Sequence, residues 1–407
     1  MENPKIRFKG FTKDWEQRKL GDLVDRVTRK NQDLVSELPL TISAQYGLID
    51  QNEFFDKRVA SKDVSGYYLI ENGEFAYNKS TSTDAPWGAI KRLDRYENGV
   101  LSTLYIVFGI KENNPVDSDF LVSYYSTNLW HKGIHEIAAE GARNHGLLNI
   151  APADFFETRL MIPQDIEEQK KIGKYFIELE ALITLHQRKC EQTKNLKKYM
   201  LQKMFPQNGA KVPEIRFNGF THDWEQRKLS ELLEKYEDPV ETPHDGYERV
   251  GIRSHAKGTF HSFVEPGKEL DTAKMYRVAA DKFILNITFA WEHAVAITDN
   301  NDAGKLVSHR FPQFSFNPKL KPHFFKYLML DKKFREHLEL SSPGGAGRNR
   351  VLKISDMLKY EIKLPSIEEQ IKIGEYFDHL DNLITLHQRQ CDELKKMKKY
   401  MLQNMFI

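Results

Sequence analysis

Two glycine-rich loops carry the side chains best suited to hydrogen bond nucleobases or phosphates. The loops are 141–146 and 344–350, and both contain Gly-Ala and Arg-Asn. Arg can donate two hydrogen bonds to guanine and Asn can bridge adenine, while either can also contact phosphate. Glycine allows the backbone to approach a ligand closely. The loops predict nucleic-acid contact through Arg143 and Asn144 in the first, and through Arg348, Asn349 and Arg350 in the second.

Catalytic motifs are missing from the sequence. It has no Gly-x-x-x-x-Gly-Lys phosphate loop, and its Gly344-Gly-Ala-Gly347 run follows a helical pattern, which is the wrong context for a dinucleotide fingerprint. The Asn/Asp-Pro-Pro-aromatic motif of adenine methyltransferases does not occur, and no carboxylate cluster with Lys is repeated as a nuclease centre would require. His186 and His387 lack zinc-ligand spacing. We therefore expect a chain with no catalytic residues and no metal ligands.

The composition limits the kinds of protein that this chain can be. The chain has 407 residues, 40% hydrophobic content, 29% charged residues and a net charge of +2, which allows two or three cores and only local basic faces. Cys190 and Cys391 occupy equivalent apolar positions, and their scarcity fits a reducing cytoplasm better than a disulfide framework. Trp15 and Trp224, in identical contexts, are predicted core anchors. Without an apolar span or a signal peptide, a cytoplasmic location is expected.

An internal repeat supplies the elements that must position these loops. Residues 166–205 recur at 367–406 with 27 of 40 positions identical. Apolar residues spaced three and four apart, as at Ile172, Phe176 and Leu179, predict one long helix with a coiled-coil seam in each copy. Acids concentrate in the first half of each copy and bases in the second. This distribution suits each helix dipole alone, and it also favours antiparallel pairing of the two helices.

A second repeat opens each half of the chain. Pro4–Leu20 recurs as Pro213–Leu229, and a polar linker at 206–211 precedes the second copy. The segments between the opening motif and the long helix differ in sequence but have turn and helix signals in the same order. Both show helical spacing of apolar residues, over Ser118–Ile137 and Pro322–Leu340. They are predicted to be mixed α/β domains of one fold with different surfaces.

The arrangement resembles the specificity subunit of type I restriction-modification enzymes over essentially the whole chain. The resemblance rests on Asp14-Trp-Glu16 and Asp223-Trp-Glu225, on the helix starts Pro163–Gln169 and Pro365–Gln370, and on two dissimilar segments between near-identical helices. The first helix start carries one extra residue. The resemblance implies an α+β fold in which two similar target recognition domains are separated by two long antiparallel coiled-coil helices, as a pseudo-two-fold internal repeat.

The implied boundaries are an opening motif and first target recognition domain at 1–165, a central spacer helix at 166–205, a linker at 206–212, an opening motif and second recognition domain at 213–366, and a C-terminal spacer helix at 367–407. Each recognition domain is expected to read one half of a bipartite, asymmetric DNA target. The helices are expected to set the spacer between the half-sites and to dock methyltransferase subunits.

The same resemblance implies a non-catalytic subunit of an adenine methyltransferase/endonuclease complex. Expected partners are double-stranded DNA, two methyltransferase (modification) subunits and restriction/translocase subunits. No cofactor is expected on this chain, whereas S-adenosylmethionine, ATP and magnesium are expected on the partner subunits. The alternative is a protein-interaction scaffold, with two adaptor domains on a coiled coil and no DNA role.

Domains with different targets should differ where they contact bases. The shared Arg-Asn loop is therefore expected to bind phosphate or to stabilise the loop itself rather than to read bases. Divergent loops are better candidates for base contact. In the first domain they carry Ser43, Gln45, Tyr46, Lys79, Ser80, Thr81, Ser82, Trp87 and Lys91, and in the second Arg253, His255, Lys257, Trp291, His293, His309 and Arg310. These residue types also occur as solvated surface groups or core aromatics, so the prediction concerns the set.

Overall fold

The computed structural model describes most of the chain as two units. The described residues are 3–43, 46–83, 85–112, 114, 116–138, 143–144, 147–207, 209–270, 272, 274–344 and 350–407, with only the backbone of 143, 144 and 147. Unit 1 comprises Met1–Gln187 and Arg389–Ile407, and unit 2 comprises Arg188–Gln388.

The strands and helices that precede the linker follow this order: β1 (Trp15–Lys19), α1 (Leu20–Leu23), β2 (Val24–Val27), β3 (Leu40–Ser43), β4 (Gly47–Asp50), α2 (Gln51–Phe55), β5 (Tyr68–Glu71), β6 (Phe75–Asn78), β7 (Ala89–Arg92), β8 (Asn98–Leu101), β9 (Ile106–Ile110), α3 (Ser118–Tyr124), α4 (Trp130–Ile137), β10 (Arg143–Asn144), β11 (Leu147–Leu148), α5 (Pro152–Glu157), β12 (Arg159–Pro163) and α6 (Ile166–Lys203).

The remaining elements are β13 (Glu225–Lys228), β14 (Leu233–Tyr236), β15 (Pro239–Glu241), β16 (Tyr247–Ile252), β17 (Thr259–Val264), β18 (Lys274–Arg277), β19 (Phe283–Leu285), β20 (Val295–Ile297), β21 (Leu306–Val307), β22 (Gln313–Phe316), α7 (Pro322–Leu328), α8 (Lys332–Leu340), α9 (Ile354–Met357), β23 (Glu361–Leu364) and α10 (Ile367–Asn404).

Both units contain the same frame. The strand of the opening motif pairs antiparallel with the strand that leads into the long helix, as β1 with β12 and β13 with β23. A four-stranded antiparallel sheet then has the order β2-β9-β6-β7 in unit 1 and β14-β22-β19-β20 in unit 2. Outside this frame the units differ, because unit 1 has separate two-stranded pairs whereas unit 2 has a five-stranded sheet, β15-β18-β21-β16-β17. The predicted α+β class and the shared plan are confirmed.

Aromatic side chains fill the core that each frame encloses. Trp15 and Trp224 are both 4% exposed, as expected of core anchors. Trp15 lies edge-on to Phe120 of α3 at 5.9 Å between ring centroids, and Trp224 lies edge-on to Phe324 of α7 at the same 5.9 Å. The opening motif therefore packs against the equivalent helix in both units.

A buried ion pair ties each opening motif to the first turn of its long helix. Arg7 donates from Nε and Nη2 to the two carboxylate oxygens of Glu168, at 2.6 and 2.7 Å. Arg216 repeats this fork on Glu369, with both distances 2.7 Å. Both glutamates are fully buried, so the charge of each is compensated by its arginine.

The next residue of each long helix holds the segment that leads into α3 or α7. The side-chain oxygen of Gln169 accepts a hydrogen bond from the backbone N–H of Asp117 at 2.9 Å, and its amide donates to the carbonyl of Pro163. Gln370 accepts in the same way from the N–H of Lys321 at 2.9 Å. We call the buried Arg–Glu pair and the adjacent Gln the helix-start joint.

A glycine one turn further along allows the two helices to meet. A methyl group on Gly173 would lie 2.6 Å from the backbone nitrogen of Phe120, so only glycine permits this approach of α3 to α6. Gly374 is in a comparable position, where a methyl group would lie 3.0 Å from Cβ of His323. The contacts of Glu168, Gln169 and Gly173, which recur in the second copy, explain why these residues are repeated.

Within each unit, parts of the two long helices pack antiparallel. In unit 1, Leu179 and Ile183 of α6 form a buried cluster with Cys391 of α10, and Leu394 packs against it. In unit 2, the Cys190 thiol lies 3.9 Å from the Ile384 carbonyl. Both cysteines are buried and free, so they act as small seam residues.

Complementary charges follow the same pairing. Lys398 of α10 bonds Glu180 of α6 at 2.5 Å in unit 1, and Lys197 of α6 bonds Asp381 of α10 at 2.5 Å in unit 2. Basic residues of one helix therefore meet acidic residues of the other, as the charge distribution predicted.

The helical stretches predicted at Ser118–Ile137 and Pro322–Leu340 each form two helices. After α3 ends at Tyr124, Thr127 turns the chain toward α4, because its hydroxyl donates to the Tyr124 carbonyl at 2.7 Å and accepts from the Leu129 N–H at 3.2 Å. In unit 2, the carboxylate of Asp331 caps the start of α8. These local side-chain bonds compete with a continuous helix, which apolar spacing alone does not reveal.

Loss of the buried carboxylate should weaken the helix-start joint. Glu168→Ala leaves the guanidinium of Arg7, 14% exposed, without its counter-ion, and we expect a loss of about 3–5 kcal/mol in the free energy of unfolding. Urea unfolding and hydrogen exchange in the first turn of α6 measure the effect.

The neighbouring Glu167→Ala is the matched control, because it removes an exposed pair with Lys170 that is screened by solvent and should leave the free energy of unfolding almost unchanged. Equal destabilisation by the two variants would show that the buried pair has no special role.

Candidate nucleic-acid interface

The candidate residues of unit 2 converge on the segment that follows β19. His255 donates its backbone N–H to the carbonyl of Glu292 at 2.9 Å, and Ile287 donates to the carbonyl of Arg310 at 3.0 Å. Leu352, just after the glycine-rich loop, donates to the carbonyl of Ile287 at 2.9 Å. Four regions far apart in the sequence therefore form one surface.

The hairpin of β16 and β17 places three predicted residues at its tip. Arg253, His255 and Lys257 are exposed there. The guanidinium of Arg253 lies 5.2 Å from the ring of Phe260, within range of a cation–π interaction, and also donates to the carbonyl of Thr259. His255 has a left-handed backbone, φ 63°, which turns the chain at this tip.

Two predicted residues beside this hairpin make internal contacts. The indole N–H of Trp291 donates to the Thr288 carbonyl at 3.1 Å, and the guanidinium of Arg350 lies 5.4 Å from its ring. His293 is 5% exposed, and its Nε2 lies 2.9 Å from the Met329 carbonyl. Burial lowers the pKa of His293, so its position indicates a structural role.

His309 and Arg310 are exposed in the turn after β21. Arg348 and Asn349 lie outside the described residues. Arg350 is therefore the one predicted side chain of the second glycine-rich loop that the described part of the chain includes.

Unit 1 joins its glycine-rich loop to the equivalent segment, which follows β6. Leu148 donates its N–H to the carbonyl of Lys79 at 3.0 Å, as Leu352 does to Ile287. Arg143 and Asn144 form the two-residue strand β10 opposite β11. Their side chains lie outside the described part of the chain. The chain that leaves the glycine-rich loop is thus held at an equivalent position in both units.

The loop from Lys79 to Ser82 directly follows β6. Burial, and next the positive charge of Arg26, lower the pKa of the Lys79 ammonium. Ser80 donates its N–H to the Asn78 side-chain oxygen, the Ser82 hydroxyl accepts from a backbone N–H, and Thr81 lies between them. Lys79 is thus a lysine for which an added anion would be favourable.

The other candidates of unit 1 differ in exposure. Ser43 ends β3, is buried, and accepts from the N–H of the exposed Tyr46 at 3.3 Å, while Gln45 lies outside the described residues. Trp87 packs edge-on against His135, with 5.1 Å between ring centroids. Lys91 is half-buried in β7, and burial lowers its pKa.

Sequence reasoning missed several residues of unit 2. Phe260 and Phe263 are 40% and 57% exposed on β17, at one edge of the five-stranded sheet. A cavity of about 370 Å³ lies beside Phe260 and includes Asn286 and Glu292 in its lining. The run Thr-Phe-His-Ser-Phe-Val does not alternate strictly, which was the available signal for an exposed aromatic.

Among the residues described, no group of three or more His, Cys, Asp or Glu side chains could hold a metal ion. In the described part of the chain, no helix is long and apolar enough to cross a bilayer.

The second of the two similar frames, with its long helix, has a counterpart in a known protein family. Residues 221–396 match the family described as the type I restriction modification DNA specificity domain. That range includes the second part of the repeated opening motif, from residue 221, the domain that follows it and most of α10.

Two curated relatives match nearly the whole chain. The type I restriction enzyme MjaVIII specificity subunit of Methanocaldococcus jannaschii is 23% identical over 405 residues, covering 95% of this chain and 90% of that protein. The putative type I restriction enzyme MjaX specificity subunit of the same organism is 24% identical, covering 95% and 91%. These findings bear out the resemblance to type I specificity subunits that the sequence indicated.

A solved structure shares the fold. The crystal structure of the type-I restriction-modification system S subunit from M. genitalium superposes with a TM-score of 0.56 at 13% identity, covering 100% of this chain and 99% of that chain.

The environment of His293 predicts a pH-dependent contribution to stability. Its neutral ring is favoured in the fold, so the unfolded chain binds the proton first as pH falls below about 6.5, and stability is lost in that direction. The free energy of unfolding should therefore fall more between about pH 7 and pH 5 in the wild type than in His293→Asn. Asn tolerates the φ of 61° at this position.

His309→Asn is the control, because that side chain is exposed and should leave the pH dependence as it is in the wild type. The structural assignment of His293 is contradicted if the wild type and His293→Asn show the same slope of stability against pH.

Proposed function

We propose that this chain is the DNA sequence-recognition and scaffolding subunit of a type I restriction-modification enzyme, and that it catalyses no reaction itself. The observation that carries the proposal is the repeated frame with unlike loops. In each unit the same glycine-rich loop adjoins the segment after the same strand, β6 or β19, while the surrounding polar and aromatic residues differ.

Each unit reads one half of a bipartite DNA target. The common frame supports two different surfaces, so two unlike half-sites are the natural target. In unit 2, the exposed Arg253, His255, Lys257, His309 and Arg310 can donate to base edges or phosphates. In unit 1, Tyr46 and Lys79 to Ser82 have the equivalent role. The shared Arg143 and Arg348 hold phosphate, which gives affinity without sequence information.

The long helices dock the catalytic partners and set the gap between half-sites. Exposed apolar residues recur at equivalent positions of the two copies, with Leu185 and Leu386 42% and 48% exposed, and Tyr199 and Tyr400 48% and 57% exposed. One partner type can therefore bind twice. We assign these positions to two adenine methyltransferase subunits, which carry S-adenosylmethionine, with restriction/translocase subunits using ATP and magnesium.

Native mass spectrometry of the assembled complex tests the stoichiometry. The wild-type chain should saturate at two methyltransferase subunits. Tyr199→Asp and Tyr400→Asp should each reduce this to one, because each places a charge in one copy of the same apolar contact.

Leu340→Asp is the control, since Leu340 is 83% exposed on α8, outside the repeated helices, and two subunits should remain bound. A wild-type complex that saturates at one subunit would exclude the two-site arrangement.

Methylome sequencing of cells that express the chain with its cognate methyltransferase tests the function itself. The wild type should produce one bipartite motif with an unread gap. A second copy of Thr184-Leu-His-Gln187 would lengthen α6 by about 6 Å and slightly more than one turn, so the seam stays nearly in phase. Since duplex DNA rises about 3.4 Å per base pair, the gap should grow by one or two base pairs with both half-sites intact.

A stable, active insertion variant with an unchanged gap would show that the helices do not set the distance. No methylation by the wild type, together with no salt-dependent binding of duplex DNA by the complex, would instead favour the protein scaffold without a DNA role.

A further inference from the structure

A cavity of about 900 Å³ in unit 1 lies between the recognition domain and the two long helices. Its lining includes the exposed Tyr46 and Leu129 from the domain, Ile183 from α6, and Lys395 and Lys399 from α10. The volume is within the range of ligand sites in proteins. One of the sequence-predicted DNA contacts, Tyr46, is therefore on the same cavity as residues of the helices.

The charge of this cavity is strongly positive. Lys395, Lys398 and Lys399 contribute three ammonium groups, whereas Glu180 contributes the one carboxylate among the lining residues. Glu180 is already bonded to Lys398 at 2.5 Å. Lys395 and Lys399 are exposed, and no described carboxylate lies within salt-bridge distance of either. Two positive charges therefore remain for an outside ligand.

Lys91 adds a fourth lysine beside this cluster. It is half-buried on β7, and burial and then the charge of Lys398 lower its pKa, while Glu180 opposes the change. The register of the two equivalent sheets places Lys91 opposite Ala76 and Ala296 opposite Ile284. Unit 2 thus has a buried alanine where unit 1 has this lysine, so Lys91 is not needed by the shared frame.

The corresponding helix positions of unit 2 differ in one charged residue. Asp378 occupies the position of Ile177 in the first helix copy, and it accepts from Lys326 at 2.7 Å and from the hydroxyl of Tyr327 at 2.6 Å. The Lys197–Asp381 pair of unit 2 is the counterpart of the Lys398–Glu180 pair of unit 1. Unit 2 therefore has an additional carboxylate on this helix, Asp378, where unit 1 has an apolar residue.

We propose that the lysine-lined cavity of unit 1 binds the phosphate backbone of duplex DNA beside the first half-site, through Lys91, Lys395 and Lys399. This inference rests on the proposed function. Duplex DNA is the occupant that the surroundings favour, because Tyr46, a candidate DNA contact, lines the cavity, and Lys91 lies on β7, which pairs with the strand that leads to the candidate loop at Lys79. The cluster contributes affinity without sequence information, and it does so for one half-site only.

The test measures the affinity of the chain–methyltransferase complex for a duplex carrying its methylated motif and for a shuffled duplex, against salt concentration. Lys395→Gln together with Lys399→Gln should lower the slope of log affinity against log salt by about 0.9 per lost phosphate contact. The slope should therefore fall by up to about two for both duplexes. The affinity gap between wild type and variant should narrow about tenfold from 50 to 200 mM salt. Lys91→Gln should remove about one contact more, and the methylated motif should not change.

The matched control is Lys194→Gln with Lys198→Gln, at the equivalent positions of the other helix copy, which should keep the wild-type slope. An unchanged slope for the Lys395/Lys399 variant, or an equal fall in the control, would overturn the inference while wild-type DNA binding leaves the proposed function standing.

Saturable binding of ADP or inorganic triphosphate that needs Lys395 and Lys399, with no change in the DNA slope, would assign the cavity to a free phosphate ligand and also overturn it. If the wild-type complex binds no duplex, the proposed function fails first.

Discussion

The buried Arg–Glu pair at the start of each long helix is the constraint on which the rest of each unit depends. A carboxylate with no solvent exposure is tolerated only when it is fully paired, and the fork from Arg7 to Glu168 satisfies both of its oxygens. Arg7 belongs to the opening motif, and Gln169 holds the start of α3. The first turn of α6 therefore connects the opening motif, α3 and the long helix. The same joint at Arg216, Glu369 and Gln370 explains why these stretches are nearly identical while the domains are not.

A rigid joint leaves the loops free to diverge. The four-stranded sheet has the same order in both units, and the glycine-rich loop adjoins the same segment beyond its third strand. What differs is the added structure, a five-stranded sheet with the Arg253 hairpin in unit 2 and smaller strand pairs in unit 1. Recognition surfaces of this kind can change without disturbing the core, because their side chains contribute little to the burial that stabilises the frame.

The two units also differ where the domain meets the helices. In unit 2 the carboxylates Asp378 and Asp381 satisfy Lys326, Lys197 and the hydroxyl of Tyr327. In unit 1 the position of Asp378 is taken by Ile177, and Lys395 and Lys399 line a cavity between the domain and the helices. Similar helices therefore present different electrostatic surfaces, because single substitutions such as Asp378 against Ile177 change which charges are paired internally.

The sequence by itself determined the repeat, the long helices, the α+β class and the family resemblance, because these depend on periodicity and on local identity. Charge distribution also indicated the antiparallel contacts seen within each unit. Only the tertiary structure decided which side chains lie at a surface: the candidates His293 and Ser43 are buried, whereas Phe263, which the sequence did not single out, is exposed. It also showed that Tyr46 shares a cavity with Lys395 and Lys399, more than three hundred residues later in the chain. Burial and convergence arise from contacts between distant segments, and a residue's type and local spacing do not contain them.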